Sequence, residues 1–151
     1  MTTEGIDFES LTLKDALDLA VLIEEEARDR YVELAGQLRI HQTTAAAGFF
    51  EKMARVEEVH RTGLLARREL LFADAPSRMN RTMFDDVEAP RYEDARVKLT
   101  LRQALEVALR AEEKAKDFFE RALTVVKHPE VRQLFAELRQ EEVEHRRWVP
   151  G

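Results

Sequence analysis

Two glutamate–histidine pairs share one spacing in this chain. Glu57 and His60 stand three residues apart, and so do Glu142 and His145. On an α-helix this spacing places both side chains on one side of the helix, one turn apart. A carboxylate oxygen and an imidazole nitrogen in that arrangement can bind the same metal ion. One such pair is a weak signal, and two pairs make each a candidate half of a metal site.

Two further glutamates lie in a stretch that occurs twice. Residues 11–31 and 99–119 are offset by 88 positions and agree at ten of 21 positions. In both copies apolar residues recur at steps of three and four, which is one face of a helix. Glu24 interrupts this stripe in the first copy and Glu112 interrupts it in the second. A buried carboxylate is costly unless it is paired or binds a cation, so the repetition predicts that both bind metal.

The chemistry of these side chains indicates a pair of metal ions. If the four helical stripes face one core, six candidate ligands converge there: Glu24, Glu57, His60, Glu112, Glu142 and His145. Four carboxylates carry a charge that two divalent cations cancel. Oxygen and nitrogen ligands without sulfur suit iron or manganese. We therefore expect two iron ions, with manganese or a mixed pair as the alternative. Redox metals held by bridging carboxylates can bind dioxygen or peroxide and deliver two electrons.

The elements that must position these ligands are four helices. Thr12 and Thr100 each begin a capping box, which marks a helix start. The pattern predicts helices over residues 12–40, 45–73, 101–126 and 129–148, with a further short helix around residues 80–88 as one option. Short loops join the first and second helices and the third and fourth. Residues 74–98 form a long crossover. This is the connectivity of an all-α, ferritin-like four-helix bundle built from a duplicated hairpin.

Length and composition limit the classes of protein to consider. The 151 residues suit one domain spanning residues 1–151. The chain has no cysteine, which excludes disulfides, iron–sulfur clusters and a rubredoxin-type iron centre. A net charge of −6 argues against nucleic-acid binding. The polar start does not read as a signal peptide, and no apolar run is long enough to span a bilayer. A cytoplasmic location is the expectation.

Four segments carry a family resemblance: EEEARDRY, EKMARVEEVH, AEEKAKDFF and FAELRQEEVEH. They resemble the rubrerythrin-like branch of the ferritin-like superfamily, over nearly the whole chain beyond residue 10. The resemblance implies a di-iron protein that reacts with hydrogen peroxide or dioxygen. It also implies that Glu57 and Glu142 bridge or chelate the metals and that His60 and His145 each cap one metal. Glu24 and Glu112 would then be terminal carboxylates.

The sequence also departs from the rubrerythrin pattern. Rubrerythrin proper carries a rubredoxin-like domain and a further glutamate in the third helix, where this chain has Ala115. The ligand set is therefore the symmetric kind with six members. In relatives a tyrosine usually sits near each terminal glutamate. Tyr31 fits that place and is our candidate for a role beside the metals, but Phe119 replaces the second tyrosine and cannot hydrogen-bond.

Three functions stay open on the sequence alone. The first is an oxidoreductase that oxidises Fe(II) or reduces peroxide or dioxygen, with an external electron donor that the sequence does not identify. The second is an iron-binding or iron-sensing module without turnover, like the ferritin-like domains fused to membrane iron transporters. The third is a bundle without metal, with solvated glutamates and hydrogen-bonded core histidines. Exposed apolar residues at positions 70–72 predict a homodimer or larger homo-oligomer.

Overall fold

Four long helices make up most of the described part of the chain, as the sequence predicts. The computed structural model describes residues 6–92 and 99–145, the last of these without its side chain. The helices are α1 (Leu13–Ile40), α2 (Thr44–Phe72), α3 (Leu101–Leu123) and α4 (Pro129–His145). Single 3-10 turns lie at Phe8–Ser10 and Arg81–Met83. The all-α class and the order of two hairpins joined by a crossover are therefore confirmed. No helix in the described ranges is long and apolar enough to cross a lipid bilayer.

The two copies of the repeat begin with the same hydrogen bonds. The Thr12 hydroxyl accepts a hydrogen bond from the Asp15 amide at 3.1 Å, and the Asp15 carboxylate accepts one from the Thr12 amide at 3.5 Å. Thr100 and Gln103 repeat both bonds at 3.1 and 2.9 Å. Each box satisfies amides that have no partner inside the helix. The two copies of the repeat therefore begin their helices at equivalent residues.

The third helix ends three residues earlier than the apolar pattern predicts. After Leu123 the Thr124 hydroxyl donates to the Arg121 carbonyl at 2.7 Å and competes with the helical bond. Arg132 of α4 donates to the carbonyls of Leu123 and Val126, at 2.5 and 2.9 Å. Carbonyls that a longer helix would have bonded internally are thus satisfied by the next helix. The predicted end of the fourth helix, at residue 148, lies outside the described residues.

Apolar side chains pack in two layers, on either side of the glutamates. One layer joins the first half of α1 to the second half of α3 and to α4, around Leu17, Phe119 and Phe135. The other joins the second half of α1 to the first halves of α2 and α3, around Leu34 and Phe50. Leu71 and Leu101 are exposed because they lie in the last turn of α2 and the first turn of α3. The carboxylates therefore occupy a polar level within an otherwise apolar core.

The crossover follows α1 along its length and is held there by charged groups. Lys14 donates to the Pro76 carbonyl at 2.6 Å, and Arg81 pairs with Asp29 at 2.7 Å. Arg30, buried on α1, pairs with Asp86 at 2.8 Å. The short helix considered around residues 80–88 forms only in part, as a 3-10 helix at Arg81–Met83. Beyond this turn Phe84 and Val87 are buried against the bundle, and that packing replaces helical bonding.

Candidate metal centre

The structure brings together the four helix glutamates that the sequence singled out. Glu24, Glu57, Glu112 and Glu142 come from α1, α2, α3 and α4, and none is more than 2% exposed. Glu24 and Glu142 belong to one group whose oxygens lie within 4.8 Å of one another, and Glu57 and Glu112 belong to another. Each pair combines one glutamate from each hairpin. The two halves of the repeat therefore meet at the centre of the bundle.

One of the two histidines lies beside this group. His60 Nδ1 is 3.8 Å from a Glu57 carboxylate oxygen and 4.0 Å from a Glu24 oxygen. These three side chains offer ligand atoms within 4.8 Å of one another. This is the first predicted half-site. In the second half-site Glu142 is placed as expected, whereas the side chain of His145 lies outside the described residues.

A fifth buried carboxyl joins the four, and the sequence analysis missed it. Glu88 lies in the crossover and is 0% exposed. Its carboxyl belongs to both oxygen groups, with Glu24 and Glu142 in one and with Glu57 and Glu112 in the other. It follows no helical stripe, so periodicity could not find it. The available signal was an acidic residue flanked by two apolar residues, Val87 and Ala89, in an otherwise polar connection.

The backbone on either side of Glu88 is held by side chains of α1 and α3. The Asp86 amide donates to the Glu26 carboxylate at 3.1 Å. Lys114 of α3 donates to the Ala89 carbonyl. Arg30 adds a hydrogen bond to the Pro90 carbonyl at 2.7 Å. The crossover thus enters the bundle between α1 and α3 at a fixed depth, which places Glu88 among the helix glutamates.

Burial and mutual repulsion change the acidity of this group. Burial, followed by the charges of Glu88 and Glu57, raises the pKa of Glu24 well above its usual value. Burial and the charges of Glu88 and Glu112 do the same to the pKa of Glu142. The pKa of Glu88 rises to about 8, again chiefly through burial. The metal-free centre therefore retains protons at neutral pH, and a cation would take their place.

Tyr31 lies in the core on the same level of the bundle. It is 1% exposed, and its hydroxyl oxygen has no hydrogen-bond partner among the described residues. Burial, and then the charges of Glu112 and Glu57, raise the pKa of its phenol well above its usual value. The Tyr31 and Phe50 rings lie 5.5 Å apart. Tyr31 therefore lies close enough to the buried glutamates for their charges to act on its phenol.

The residues present fit a pair of iron or manganese ions. The ligand atoms are carboxylate oxygens and an imidazole nitrogen, and the chain has no cysteine. Hard oxygen and nitrogen ligands suit these metals. One oxygen of Glu24 and both oxygens of Glu88 are buried and accept no hydrogen bond from an N–H or hydroxyl donor in the described part of the chain. Buried polar atoms of this kind require a partner, and a cation would supply one.

A four-helix bundle with a long crossover and a carboxylate-lined centre defines a ferritin-like protein. A profile of the Rubrerythrin family matches residues 15–149. The chain belongs to that family. The match begins in the first turn of α1, and it covers the five buried glutamates of the centre.

Solved structures of similar proteins agree with this assignment. An uncharacterised conserved protein from Magnetospirillum magnetotacticum is 29% identical, with a TM-score of 0.67 and coverage of 91% of either chain. A hypothetical protein from Pyrococcus furiosus is 22% identical, with a TM-score of 0.56, and the match covers 91% of this chain and 85% of that one. The second likeness shows the fold alone. A search of curated proteins found no match.

Proposed function

We propose that this protein binds two metal ions, in the first place iron, at the centre of the bundle. We further propose that it uses them to oxidise Fe(II) or to reduce peroxide or dioxygen. The observation that carries the proposal is the meeting of Glu24, Glu57, Glu112 and Glu142 beside His60 in a buried core. A folded protein keeps so many buried carboxyls together at a cost in stability. Cation binding gives that arrangement a function.

The ligand roles in this proposal follow the two hairpins. Glu24, Glu57 and His60 would hold one ion, because their ligand atoms lie within 4.8 Å of one another, and Glu57 also lies beside Glu112. Glu112 and Glu142 would bind the other ion. The repeat predicts that His145, the counterpart of His60, completes this second half-site. The apolar layers around Phe50 and Phe135 keep bulk water from the centre, which strengthens electrostatic interactions there.

The chemistry proposed for the centre needs two electrons at one place. A pair of iron ions held by these residues would supply the two electrons that the reduction of peroxide to water requires. This chain's residues hold the ions close together and balance their charge. Tyr31, with its buried hydroxyl, is the side chain placed to donate a hydrogen bond or an electron beside them. An external donor must return the electrons to the metal pair.

The test is an anaerobic titration with Fe(II), followed by addition of oxygen or peroxide. We expect saturation near about two ions per chain, as in di-iron bundles of this kind. Turnover with regeneration of Fe(II) would support the oxidoreductase. Tight binding without turnover would favour the iron-binding or iron-sensing module instead. Failure to bind Fe(II), Mn(II) or Co(II) would overturn the metal proposal and leave a bundle without metal.

A further inference from the structure

Among the described residues, Glu88 is the one buried carboxyl of the centre that no helix carries. It lies in the crossover between Val87 and Ala89, and all three residues are 0% exposed. Neither of its oxygens meets an N–H or hydroxyl donor among the described residues. Its hydrogen-bonding neighbours are the carboxyls of Glu142 and Glu24, with which it can share a proton. Glu88 has no N–H or hydroxyl donor in the described residues, and the groups next to its carboxyl are those of the centre. Its side chain therefore points into the centre.

The position of Glu88 is central to both hairpins. Its carboxyl lies with Glu24 and Glu142 in one group of ligand atoms and with Glu57 and Glu112 in the other. The other four glutamates occur as two repeat-related pairs, Glu24 with Glu112 and Glu57 with Glu142. Glu88 has no repeat-related counterpart, because the crossover occurs once. A single carboxyl in contact with both groups can only be shared between them.

We propose that Glu88 is a fifth carboxylate ligand of the metal pair and that metal binding thereby fastens the crossover to the bundle. This inference rests on the proposed function, since it needs metal at the centre. Five carboxylates carry one negative charge more than two divalent cations neutralise. The fifth carboxylate would suit an oxidised pair of ions, because such a pair carries more positive charge than the four helix glutamates neutralise.

The hold on the crossover explains how occupancy would be transmitted. Asp86 lies two residues before Glu88. Its amide donates a hydrogen bond to Glu26, and its carboxylate accepts one from Arg30. The Ala89 carbonyl accepts a hydrogen bond from Lys114. These contacts bring Glu88 into reach whether or not metal is present. A metal bond to Glu88 adds a tie at the centre of the segment, so local opening of residues 84–90 must then break it.

The experiment compares Glu88→Gln with Asp74→Asn, a control that removes an exposed carboxylate from the start of the crossover. Mn(II) is the probe, and its binding is followed by electron paramagnetic resonance. Hydrogen exchange of the amides of residues 84–89 is followed with and without Mn(II), since Pro90 has no amide hydrogen. In the wild type and in Asp74→Asn we expect Mn(II) to slow exchange of this segment. In Glu88→Gln we expect affinity for Mn(II) to fall by about tenfold or more and the slowing to be lost.

The possible outcomes separate this inference from the proposed function. Wild-type affinity and wild-type slowing in Glu88→Gln would overturn the inference and leave the metal centre intact. Absence of Mn(II) binding to the wild type would overturn both. If Glu88→Gln does not fold, Glu88→Asp keeps the charge on a shorter side chain and should show a smaller loss of affinity. A metal-free Glu88→Gln protein that melts far below the wild type, with unchanged affinity, would make Glu88 a structural residue and refute the inference.

Discussion

Glu26 and Lys114 occupy the same position in the two copies of the repeat, and each holds the crossover on one side of Glu88. Glu26 accepts a hydrogen bond from the Asp86 amide at 3.1 Å, and Lys114 donates one to the Ala89 carbonyl. The crossover presents a donor to α1 and an acceptor to α3. The repeat therefore breaks its identity here because the single segment between the helices needs opposite partners.

The first prediction concerns this hold. Lys114→Met should lower the free energy of unfolding by about 1–3 kcal/mol, because it leaves the buried carbonyl of Ala89 without its donor. Lys116→Met is the control, since in the described part of the chain Lys116 makes an i,i+3 pair with Glu113 at 3.8 Å and no other ion pair. That pair contributes about 0.2–0.5 kcal/mol. Urea unfolding of the metal-free proteins measures both changes, and equal losses in the two variants would contradict the assignment.

Much of the fold and four of the buried glutamates could be predicted because helices repeat their pattern every three to four residues. Glu24 and Glu112 interrupt two apolar stripes at the same place, and that interruption can be read without a structure. The capping boxes at Thr12 and Thr100 likewise depend only on local sequence. Because an apolar stripe is a property of the local sequence, it indicates which face of each helix meets the core.

Glu88 could not be predicted by the same reasoning, because the crossover has no period. Its burial depends on contacts far away in sequence, such as Arg30 with Asp86 and Lys114 with Ala89. The early end of α3 has a similar cause, since Arg132 of the next helix satisfies the carbonyl of Leu123. Contacts between residues far apart in the sequence determine the burial of Glu88 and the end of α3. Such contacts cannot be read from a single sequence.

A second prediction concerns pH in the metal-free protein. The folded-state pKa of Glu88 is raised from 4.5 to about 8, and that of Glu26 to about 7, in each case first by burial. Between pH 4.5 and about 8 the folded state therefore binds more protons than the unfolded state. Stability should therefore be greatest near pH 4.5 and should fall as the pH rises towards 8. The pKa of Glu58 is lowered to about 2 by its hydrogen bonds to Arg61 and Arg28, so it acts only below this window.

Metal should reverse that dependence. Carboxylates must lose their protons to bind a cation, so the gain in melting temperature from Mn(II) should grow between pH 5 and 8. Thermal unfolding in chelator and in excess Mn(II) measures both curves. In chelator, Glu88→Gln should show a shallower fall with pH than the wild type. A metal-free protein that becomes more stable from pH 5 to 8 would contradict the assignment of these buried acids.

The third prediction concerns Tyr31. Its hydroxyl is buried without a hydrogen-bond partner in the described residues, so Tyr31→Phe should leave the metal-free protein as stable or raise the free energy of unfolding by about 1 kcal/mol. Phe119 already fills the equivalent place, where its ring lies 5.6 Å from Phe135. The variant should keep the wild-type metal stoichiometry and oxidise Fe(II) more slowly. An unchanged rate would remove Tyr31 from the mechanism and leave it as a packing residue.

The fourth prediction concerns self-association. Leu70 is 85% exposed and Leu71 52% exposed at the end of α2. Contiguous exposed apolar side chains of this kind favour an interface, and we expect a homodimer that contacts through them. The double variant Leu70→Ser, Leu71→Ser should shift the mass measured by light scattering from dimer to monomer. The control is Val59→Ser, which removes a 68% exposed apolar side chain elsewhere on α2. A monomeric wild type at high concentration would refute this prediction.

The last prediction tests the helical phase of the metal centre. Glu57 and Glu58 are adjacent and chemically identical, but a helix turns by about 100° between them. Glu57 is 0% exposed, with oxygens near His60 and Glu112. Glu58 faces outward, where it accepts hydrogen bonds from Arg28 at 2.6 Å and from Arg61 at 2.8 Å. Only the first of the two carboxylates can reach a metal at the centre.

Glu57→Ala should therefore abolish binding of at least one metal ion and stop oxidation of Fe(II), whereas Glu58→Ala should leave both nearly intact. The same contrast should hold for Glu24 against Glu25 and for Glu142 against Glu141. Stability should diverge as well. Loss of the surface pairs of Glu58 should cost about 1 kcal/mol or less. Removal of Glu57 relieves repulsion between buried carboxyls, so the metal-free variant should melt at or above the wild-type temperature, with a smaller gain from added metal. Equal damage to metal binding from Glu57→Ala and Glu58→Ala would place the metal elsewhere.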